Sequence, residues 1–339
     1  MQRHAYRLHS GSLSYLNLIE EPLPGPGPGE VTIAVKAIGL NFADIFAIWG
    51  LYSATPEGDF VPGLEYAGVV ARVGAGVTHL REGDEVMGVI RFGAYTTHLN
   101  IDARYVLPLP EGWNFEEGAA YLVQVLTAYY ALKELGGIRQ NQSVLIHSAA
   151  GGVGIWANRI AKQYKAFTIG TVGSAQKLDF LREEGYDRGI VRSRNFKAEL
   201  EQALAGQELH LIMECIGGKI LKTGYEMLAQ QGRMIVYGSA RYASVGNRPN
   251  YLKLAWYYLT RPRIDPQKMI ESNKGVLGFN LIWLYHRVEL LHQLLGELEP
   301  MNLGKPHVGH TFPLEQLKEA ILLFQTGKTV GKVVVVVRG

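Results

Sequence analysis

The chain contains almost no cysteine. Of its 339 residues, Cys215 alone carries a thiol. No disulfide can therefore form within the chain, and a structural zinc site with four cysteine ligands is excluded. A chain with so little cysteine suits a reducing compartment, so we predict a cytoplasmic location.

Long apolar runs and a strong excess of charge are also absent. Val276–Leu284 is the most apolar late stretch, and it is too short to cross a bilayer. The first residues lack the apolar core of a signal peptide. A formal net charge of +3 gives little support for nucleic-acid binding or for an anionic membrane surface. With 47% hydrophobic and 19% charged residues, the sequence is typical of a globular protein long enough for two domains.

The most informative stretch that is present runs from Val144 to Gly154. An apolar strand leads into a turn with Ala149, Gly151 and Gly154 at the three small-residue positions of a dinucleotide-binding motif, and a helix follows. The free N–H groups and positive dipole end at the helix start suit a pyrophosphate. The turn is therefore predicted to bind a dinucleotide through Ala150, Gly151, Gly152 and Val153. The alternative is a glycine-rich turn without a ligand.

Hydrophobic patterning predicts an α/β protein with two kinds of domain. About the first 120 residues read as short strands joined by glycine turns, such as Val31–Ala37, which favours a small β-rich domain. After the helical stretch Glu116–Leu135, six strands alternate with helices, as in a doubly wound parallel sheet. Lys332–Val337 reads as a buried strand, so the β-rich domain is expected to hold both chain ends. The predicted boundaries are 1–122, 123–280 and 281–339.

The end of the second strand of this sheet distinguishes NAD from NADP. An NAD site usually has Asp or Glu there, about 20 residues beyond the glycine turn. This chain has Gly173, Ser174 and Lys177 instead, and Arg192 follows the next strand. Such donors suit a 2′-phosphate, which a carboxylate would repel. We therefore predict NADPH as the cofactor. The alternative is that Lys177 and Arg192 are merely solvated.

Several segments make the chain resemble the medium-chain dehydrogenase/reductases, and within them the zinc-independent quinone oxidoreductase (zeta-crystallin-like) group. These segments are Ala37–Asp44, Pro62–Gly68, Ala149–Gly154, Gly170–Lys177 and Gly331–Val333. Thr260–Asp265 and Asn273–Leu284 resemble the branch that contains the vesicle amine transport protein. The resemblance implies a GroES-like catalytic domain, a Rossmann domain and a cleft between them. It also implies NADPH as hydride donor, a quinone or α,β-unsaturated carbonyl as substrate, and a homodimer.

The same comparison argues against a metal ion. Zinc-dependent relatives place a His-Glu pair after a glycine, where this chain reads Gly63-Leu64-Glu65. Its ten histidines are scattered and show no ligand spacing. We therefore predict metal-free hydride transfer.

Hydride transfer needs the nicotinamide to lie against the acceptor and needs stabilisation of the oxygen that gains charge. In the family the segment 41–52 faces the nicotinamide. Asn41 is predicted to donate a hydrogen bond to a carbonyl oxygen or to hold a water. Tyr52 is predicted to donate its hydroxyl proton or to hydrogen-bond the substrate, and Asp44 to order this loop. The ordinary alternatives are a turn residue for Asn41, a helix cap for Asp44 and packing for Tyr52. Phe46 replaces a tyrosine that is common in this group, which makes the expected pocket more apolar.

On the cofactor side, the resemblance implies contacts from residues spread between position 127 and the end of the chain. They are Thr127, Tyr237, Gly238, Ser239, Phe279, Asn280 and Lys332. For Tyr237 and Phe279 the alternative is aromatic packing in the core.

The apolar stretch Tyr251–Leu259 lies beside Arg261 and Arg263. It reads as a packed helix, with a substrate flap, a dimer surface and a membrane-touching patch as alternatives. The sequence favours an NADPH-dependent reductase. The competing hypothesis is a nucleotide-binding, catalytically weak protein that acts at a membrane or with a protein partner.

Overall fold

The computed structural model describes residues 1–338. The strands are β1 (Gln2–His9), β2 (Asn17–Pro22), β3 (Glu30–Gly39), β4 (Asp59–Phe60), β5 (Glu65–Val73), β6 (Glu85–Val89), β7 (His98–Asp102), β8 (Val106–Pro108), β9 (Ser143–His147), β10 (Phe167–Val172), β11 (Arg188–Val191), β12 (Leu209–Glu214), β13 (Leu228–Val236), β14 (Gly275–Gly278), β15 (Val308–Pro313) and β16 (Lys332–Val336). The α-helices are α1 (Phe42–Ile48), α2 (Phe115–Gly118), α3 (Leu122–Tyr129), α4 (Gly152–Gln163), α5 (Leu178–Glu183), α6 (Phe196–Leu204), α7 (Gly218–Met227), α8 (Tyr251–Leu259), α9 (Pro266–Ser272), α10 (Val288–Leu298) and α11 (Leu317–Gln325).

The second half of the chain builds a parallel sheet of six strands in the order β11-β10-β9-β12-β13-β14. All five residues of β9 are buried, as a strand covered on both faces requires. The chain leaves β9 first toward β10 and later toward β12, so the strand order reverses between β9 and β12. Ligands of such sheets bind at the carboxyl ends of the strands next to this reversal. The predicted doubly wound sheet is confirmed.

The β-rich domain is built mainly on a sheet with the order β15-β16-β3-β5-β6-β8, and β7 also pairs with β3. The valine-rich β16 lies antiparallel to β3, with Val334 beside Gly39. The end of the chain therefore returns to the domain formed by its beginning, and the prediction that the β-rich domain holds both chain ends is confirmed. The limits at 122/123 and 280/281 remain predictions.

The stretch Glu116–Leu135 is not one continuous helix. It consists of α2, α3 and a π-helical turn at Tyr130–Leu135. A distant contact fixes the start of α3, because Glu65 Oε2 accepts the N–H of Val123 at 3.2 Å. Gly118 also lies so close to Leu109 that a Cβ would come within 2.5 Å of Leu109 Cδ1. Contacts of this kind are not visible in the local sequence pattern.

The apolar stretch at residues 251–259 forms α8, but it is not a packed helix. None of its side chains is buried. The packed-helix interpretation was therefore wrong, because the helix lies over the cleft between the domains rather than against a core. Within residues 1–338, every helix falls short of the length and apolarity needed to cross a bilayer.

Candidate active site

A cavity of about 1070 Å³ lies between the two domains. Twelve of the predicted site residues line it: Asn41, Tyr52, Thr127, Gly151, Gly152, Val153, Tyr237, Gly238, Ser239, Phe279, Asn280 and Lys332. The other six lie outside this lining: Asp44, Ala150, Gly173, Ser174, Lys177 and Arg192. The structure thus brings together residues that are almost 300 positions apart in the chain.

The glycine turn is shaped for close approach of a ligand. A Cβ on Gly154 would lie 2.7 Å from the Cα of Ala149, so this glycine lets α4 pack on the end of β9. A Cβ on Gly151 would meet only the carbonyl oxygen of Ser148, at 3.2 Å, and the cavity lies beyond it. The first N–H groups of α4 have no acceptor within the helix. They are free to bind an anion in the cavity.

The catalytic domain contacts this turn directly. The N–H of Gly331, just before β16, donates to the carbonyl oxygen of Ala150 at 2.8 Å. This contact forms a parallel bridge between Gly151 and Gly331. The turn and Lys332 therefore share one wall of the cavity.

Two cations lie at the carboxyl end of β10, where no carboxylate stands. Arg192 Nη1 donates to the carbonyl oxygen and to the hydroxyl oxygen of Thr171, both at 3.1 Å. Lys177 Nζ donates to the carbonyl oxygens of Gly327 and Thr329, at 2.7 and 2.6 Å. Burial and the charge of Arg192 lower the pKa of Lys177. Burial likewise lowers the pKa of Arg192. An anion bound here would relieve the repulsion between the two cations.

Behind Arg192 lies a buried polar group that sequence reasoning missed. Thr171 Oγ1 is 2.8 Å from Nδ1 of His147, whose Nε2 faces Oε2 of Glu214 at 3.3 Å. Glu214 Oε1 accepts the N–H groups of Ile216 and Gly217, at 2.5 and 2.7 Å. Burial lowers the pKa of His147 to about 3 and raises that of Glu214 to about 7. The only signal in the sequence is a polar residue at or near the end of each of three buried strands.

A second buried group, which we call the polar cluster, consists of Asn41, Glu65, Gln124 and Lys332. Lys332 Nζ donates to Oε1 of Glu65 and, at 3.0 Å, to Oδ1 of Asn41. Gln124 Nε2 donates to the same two oxygens, at 3.2 and 3.1 Å. All four side chains are buried. Burial lowers the pKa of Lys332, and the neighbouring Glu65 acts against this shift.

Asn41 has no free hydrogen-bonding group left for a substrate. Its Nδ2 donates to Oε1 of Glu65 at 2.9 Å and to the carbonyl oxygen of Gly39 at 3.2 Å. Its Oδ1 accepts from Gln124 and Lys332. Lys332 donates only two of the three hydrogens of its ammonium group in these bonds. Lys332 is therefore the group of the cluster that retains a donor on the cavity.

Asp44 lies behind this wall and holds the start of α1. Its Oδ2 accepts the N–H of Asn41 at 2.7 Å and the hydroxyl of Tyr95 at 2.8 Å. Burial raises the pKa of Asp44 to about 7. The side chain thus positions Asn41 from outside the cavity.

Tyr52 spans the cleft. Its hydroxyl donates to Oδ1 of Asn280 at 2.7 Å. This bond links the segment after α1, in the catalytic domain, to the loop after β14. Burial raises the pKa of Tyr52 to about 12, so the hydroxyl keeps its proton at neutral pH. Nearby, Thr127 Oγ1 donates to the carbonyl oxygen of Val123 at 2.6 Å. The rings of Tyr237 and Phe279 lie 6.5 Å apart and both line the cavity.

The remaining lining is largely apolar. Phe42 packs edge-on against Phe46 and Phe324, with ring centroids 5.6 and 6.0 Å apart. Lys332 is the one charged side chain in the lining that the described residues provide. The cavity thus joins a phosphate-binding turn, a buried ammonium group and a large apolar space.

Comparisons with known proteins agree with this architecture. Residues 27–111 match the family model for the alcohol dehydrogenase GroES-like domain, and residues 152–265 match the model for zinc-binding dehydrogenase. The chain is 34% identical to the human synaptic vesicle membrane protein VAT-1 homolog over 317 residues, which are 92% of this chain and 80% of that protein.

Two solved structures are also similar. The Escherichia coli quinone oxidoreductase complexed with NADPH has a TM-score of 0.84 and 27% identity, covering 99% of this chain and 100% of that one. The CurK enoyl reductase also has a TM-score of 0.84 and 27% identity, and both chains are covered completely.

The polar cluster does not fit the zinc ion that the name of the second family model implies. The carboxylate of Glu65 is surrounded by the ammonium group of Lys332 and the amides of Asn41 and Gln124. An ammonium group cannot ligate a metal and would repel it. Within residues 1–338, no three His, Cys, Asp or Glu side chains are grouped as metal ligands. On its fold, its two matched domains and its similarity to the VAT-1 homolog, this chain belongs to the medium-chain dehydrogenase/reductases.

Proposed function

We propose that the protein is an NADPH-dependent reductase that transfers a hydride to a quinone or an α,β-unsaturated carbonyl without a metal ion. One observation carries the proposal. A single cavity is lined by the glycine turn, by the ammonium group of Lys332 and by apolar side chains. This combination suits a dinucleotide beside a neutral, apolar acceptor that gains negative charge on oxygen.

The cofactor supplies the hydride from its nicotinamide ring. The free N–H groups at the start of α4 bind its pyrophosphate. Lys177 and Arg192, with Gly173 and Ser174 between the strand end and the first cation, bind the 2′-phosphate. The two similar solved enzymes support this assignment, because one is a quinone oxidoreductase complexed with NADPH and the other an enoyl reductase.

The residues at the acceptor stabilise the charge that develops on its oxygen. Lys332 directs its remaining ammonium hydrogen at this oxygen, and Glu65 and Asn41 hold the ammonium group in place. The Tyr52 hydroxyl lies on the same domain as Lys332 and becomes the neutral donor when it exchanges Asn280 for the acceptor. Asn41 and Asp44 act as positioning residues in this scheme.

The test is a screen of acceptors with the purified full chain. Consumption of NADPH is followed by its absorbance with 1,4-naphthoquinone, 9,10-phenanthrenequinone and several enones. We expect turnover with at least one of them and a lower KM for NADPH than for NADH. Binding of NADPH without turnover on any acceptor would contradict the proposal.

That contrary result would favour the second candidate, a nucleotide-binding protein that acts at a membrane or with a partner. The observation behind this candidate is the outward face of α8. Leu252, Trp256 and Leu259 are 86%, 64% and 74% exposed there. The predicted homodimer and cytoplasmic location are proposals too, and light scattering of the purified chain tests the first of them.

A further inference from the structure

Helix α8 presents two apolar faces, and only one of them turns outward. Tyr251, Leu254, Ala255 and Tyr258 line the cavity. Their spacing of three, four and seven residues places them on a single side of the helix. We call these four residues the inner stripe. Leu252, on the other side, is 86% exposed and does not line the cavity.

Contacts with both domains hold α8 over the cleft. The N–H of Leu13 donates to the carbonyl oxygen of Asn247 at 2.8 Å, just before the helix. The N–H of Gly246 donates to Oε1 of Gln325, also at 2.8 Å. Within the nucleotide domain, the guanidinium of Arg241 lies 4.2 Å from the ring centroid of Tyr257. These contacts position the loop before α8 and the ring of Tyr257, while the inner stripe itself lines the cavity.

The inner stripe is only partly covered by protein: the guanidinium of Arg261 lies 3.8 Å from the ring centroid of Tyr258. Tyr251 and Tyr258 are each 59% exposed although they line a cavity. An apolar surface of this kind gains free energy when a ligand covers it. The stripe extends over two helical turns, about 10 Å. It is part of the same cavity as Lys332, where the reacting oxygen would lie.

We propose that the acceptor carries a long, uncharged aliphatic tail, and that this tail binds along the inner stripe of α8. The inference rests on the proposed function, because it assumes that the acceptor's carbonyl lies at Lys332. The lining contains no charge that could pair with an ionised tail, apart from Lys332 itself among the described residues. Phe42, Phe46 and Phe324 supply further apolar lining to the same cavity.

The experiment compares 2-alkyl-1,4-naphthoquinones with alkyl chains of one, five and nine carbons. Their dissociation constants are measured by calorimetry with the full chain saturated with NADP⁺. Between one and five carbons, we expect the dissociation constant to fall about fourfold for each added methylene that is buried. An equal affinity for all three chain lengths would overturn the proposal.

Variants on the two faces of α8 distinguish binding along the inner stripe from nonspecific hydrophobic association. Leu254→Asp and Tyr258→Ser change the inner stripe and should abolish most of the chain-length dependence. Leu252→Asp changes the outward face of the same helix and should leave it intact. If all three variants behaved alike, or if Leu252→Asp alone removed the dependence, the tail would not bind along the inner stripe.

Turnover of the one-carbon quinone with NADPH is measured in parallel and keeps the two proposals apart. Turnover together with dissociation constants that do not depend on chain length would support the reductase and contradict the tail site. A chain-length dependence that follows the inner stripe, without turnover of any acceptor, would support the tail site and contradict the reductase.

Discussion

The two walls of the cavity are built in different ways. The polar cluster joins four side chains from distant parts of the chain, and each is buried and hydrogen-bonded to others of the group. The wall formed by α8 comes from nine consecutive residues, none of them buried. A substitution in the polar cluster should therefore lower the free energy of unfolding. A substitution in α8 should change which acceptor binds and leave the free energy of unfolding almost unchanged.

The largest effect is expected from Lys332→Met. This change leaves the carboxylate of Glu65 buried without its cation, which typically costs about 3–5 kcal/mol. Denaturation in urea should show a much lower midpoint for this variant than for the parent protein.

The matched control is the double variant Lys332→Met with Glu65→Gln. It removes both charges, so most of the lost stability should return even though reductase activity stays low. A Lys332→Met variant as stable as the parent would show that the buried Glu65 carboxylate does not depend on the ammonium group of Lys332. A single variant of Leu254 should shift the midpoint far less.

The next largest effect concerns the cofactor. The double variant Lys177→Ala, Arg192→Ala removes two charge-assisted donors, each of which contributes about 1.5–3 kcal/mol. The KM for NADPH should rise roughly 100-fold or more, and that for NADH only slightly. Arg188→Ala, at the amino end of β11, serves as a control and should change neither value. An equal rise in the KM values for NADPH and NADH would show that the 2′-phosphate does not bind at Lys177 and Arg192.

A smaller effect is expected in the pH dependence of stability. Burial raises the pKa of Asp44 to about 7 from 3.8, so the folded protein binds this proton more tightly than the unfolded chain does. Between these two values, this group makes the folded state less stable as the pH rises. Asp44→Asn keeps an acceptor for Asn41 and Tyr95 and cannot ionise. Its stability relative to the parent should improve by about 1–3 kcal/mol from pH 4 to pH 7, as measured by urea denaturation. A difference in stability between variant and parent that stayed constant over that range would show that the pKa of Asp44 is not raised in the folded protein.

The smallest effect should come from Thr171. Its hydroxyl oxygen accepts from Arg192 at 3.1 Å and so helps to orient the guanidinium. Thr171→Val keeps the shape and loses the hydroxyl's contacts with Arg192 and His147, so we expect the KM for NADPH to rise about three- to tenfold. Thr171→Ser keeps the hydroxyl and should stay close to the parent. If both variants behaved alike, the hydroxyl would have no role in orienting Arg192.

The sequence predicted the parts of this structure that depend on local pattern. The six strands of the parallel sheet, the glycine turn and the valine-rich last strand all follow from hydrophobic periodicity and small residues. Strands β1 and β2 were missed because β2 has no buried residue and β1 buries only Ala5, Tyr6 and Leu8, so neither shows a clear apolar run.

Only the site residues that belong to a local sequence motif could be predicted. Gly151 and Lys177 stand at fixed distances along one βαβ unit. The link between Lys332 and Glu65 joins residues 267 positions apart, and no local pattern reports such a contact. Likewise, the sequence of α8 shows that it is apolar, but only the fold shows that Leu254 faces the cavity and Leu252 does not.

The most direct test of the proposed chemistry follows the hydrogen itself. The protein is incubated with an enone and with NADPH that carries deuterium at C4 of the nicotinamide, each epimer in turn, and the product is examined by mass spectrometry and NMR. Our account predicts that one epimer delivers its deuterium to the β-carbon of the enone and the other does not. Consumption of NADPH with no deuterium in the product, or no consumption with any acceptor, would contradict it.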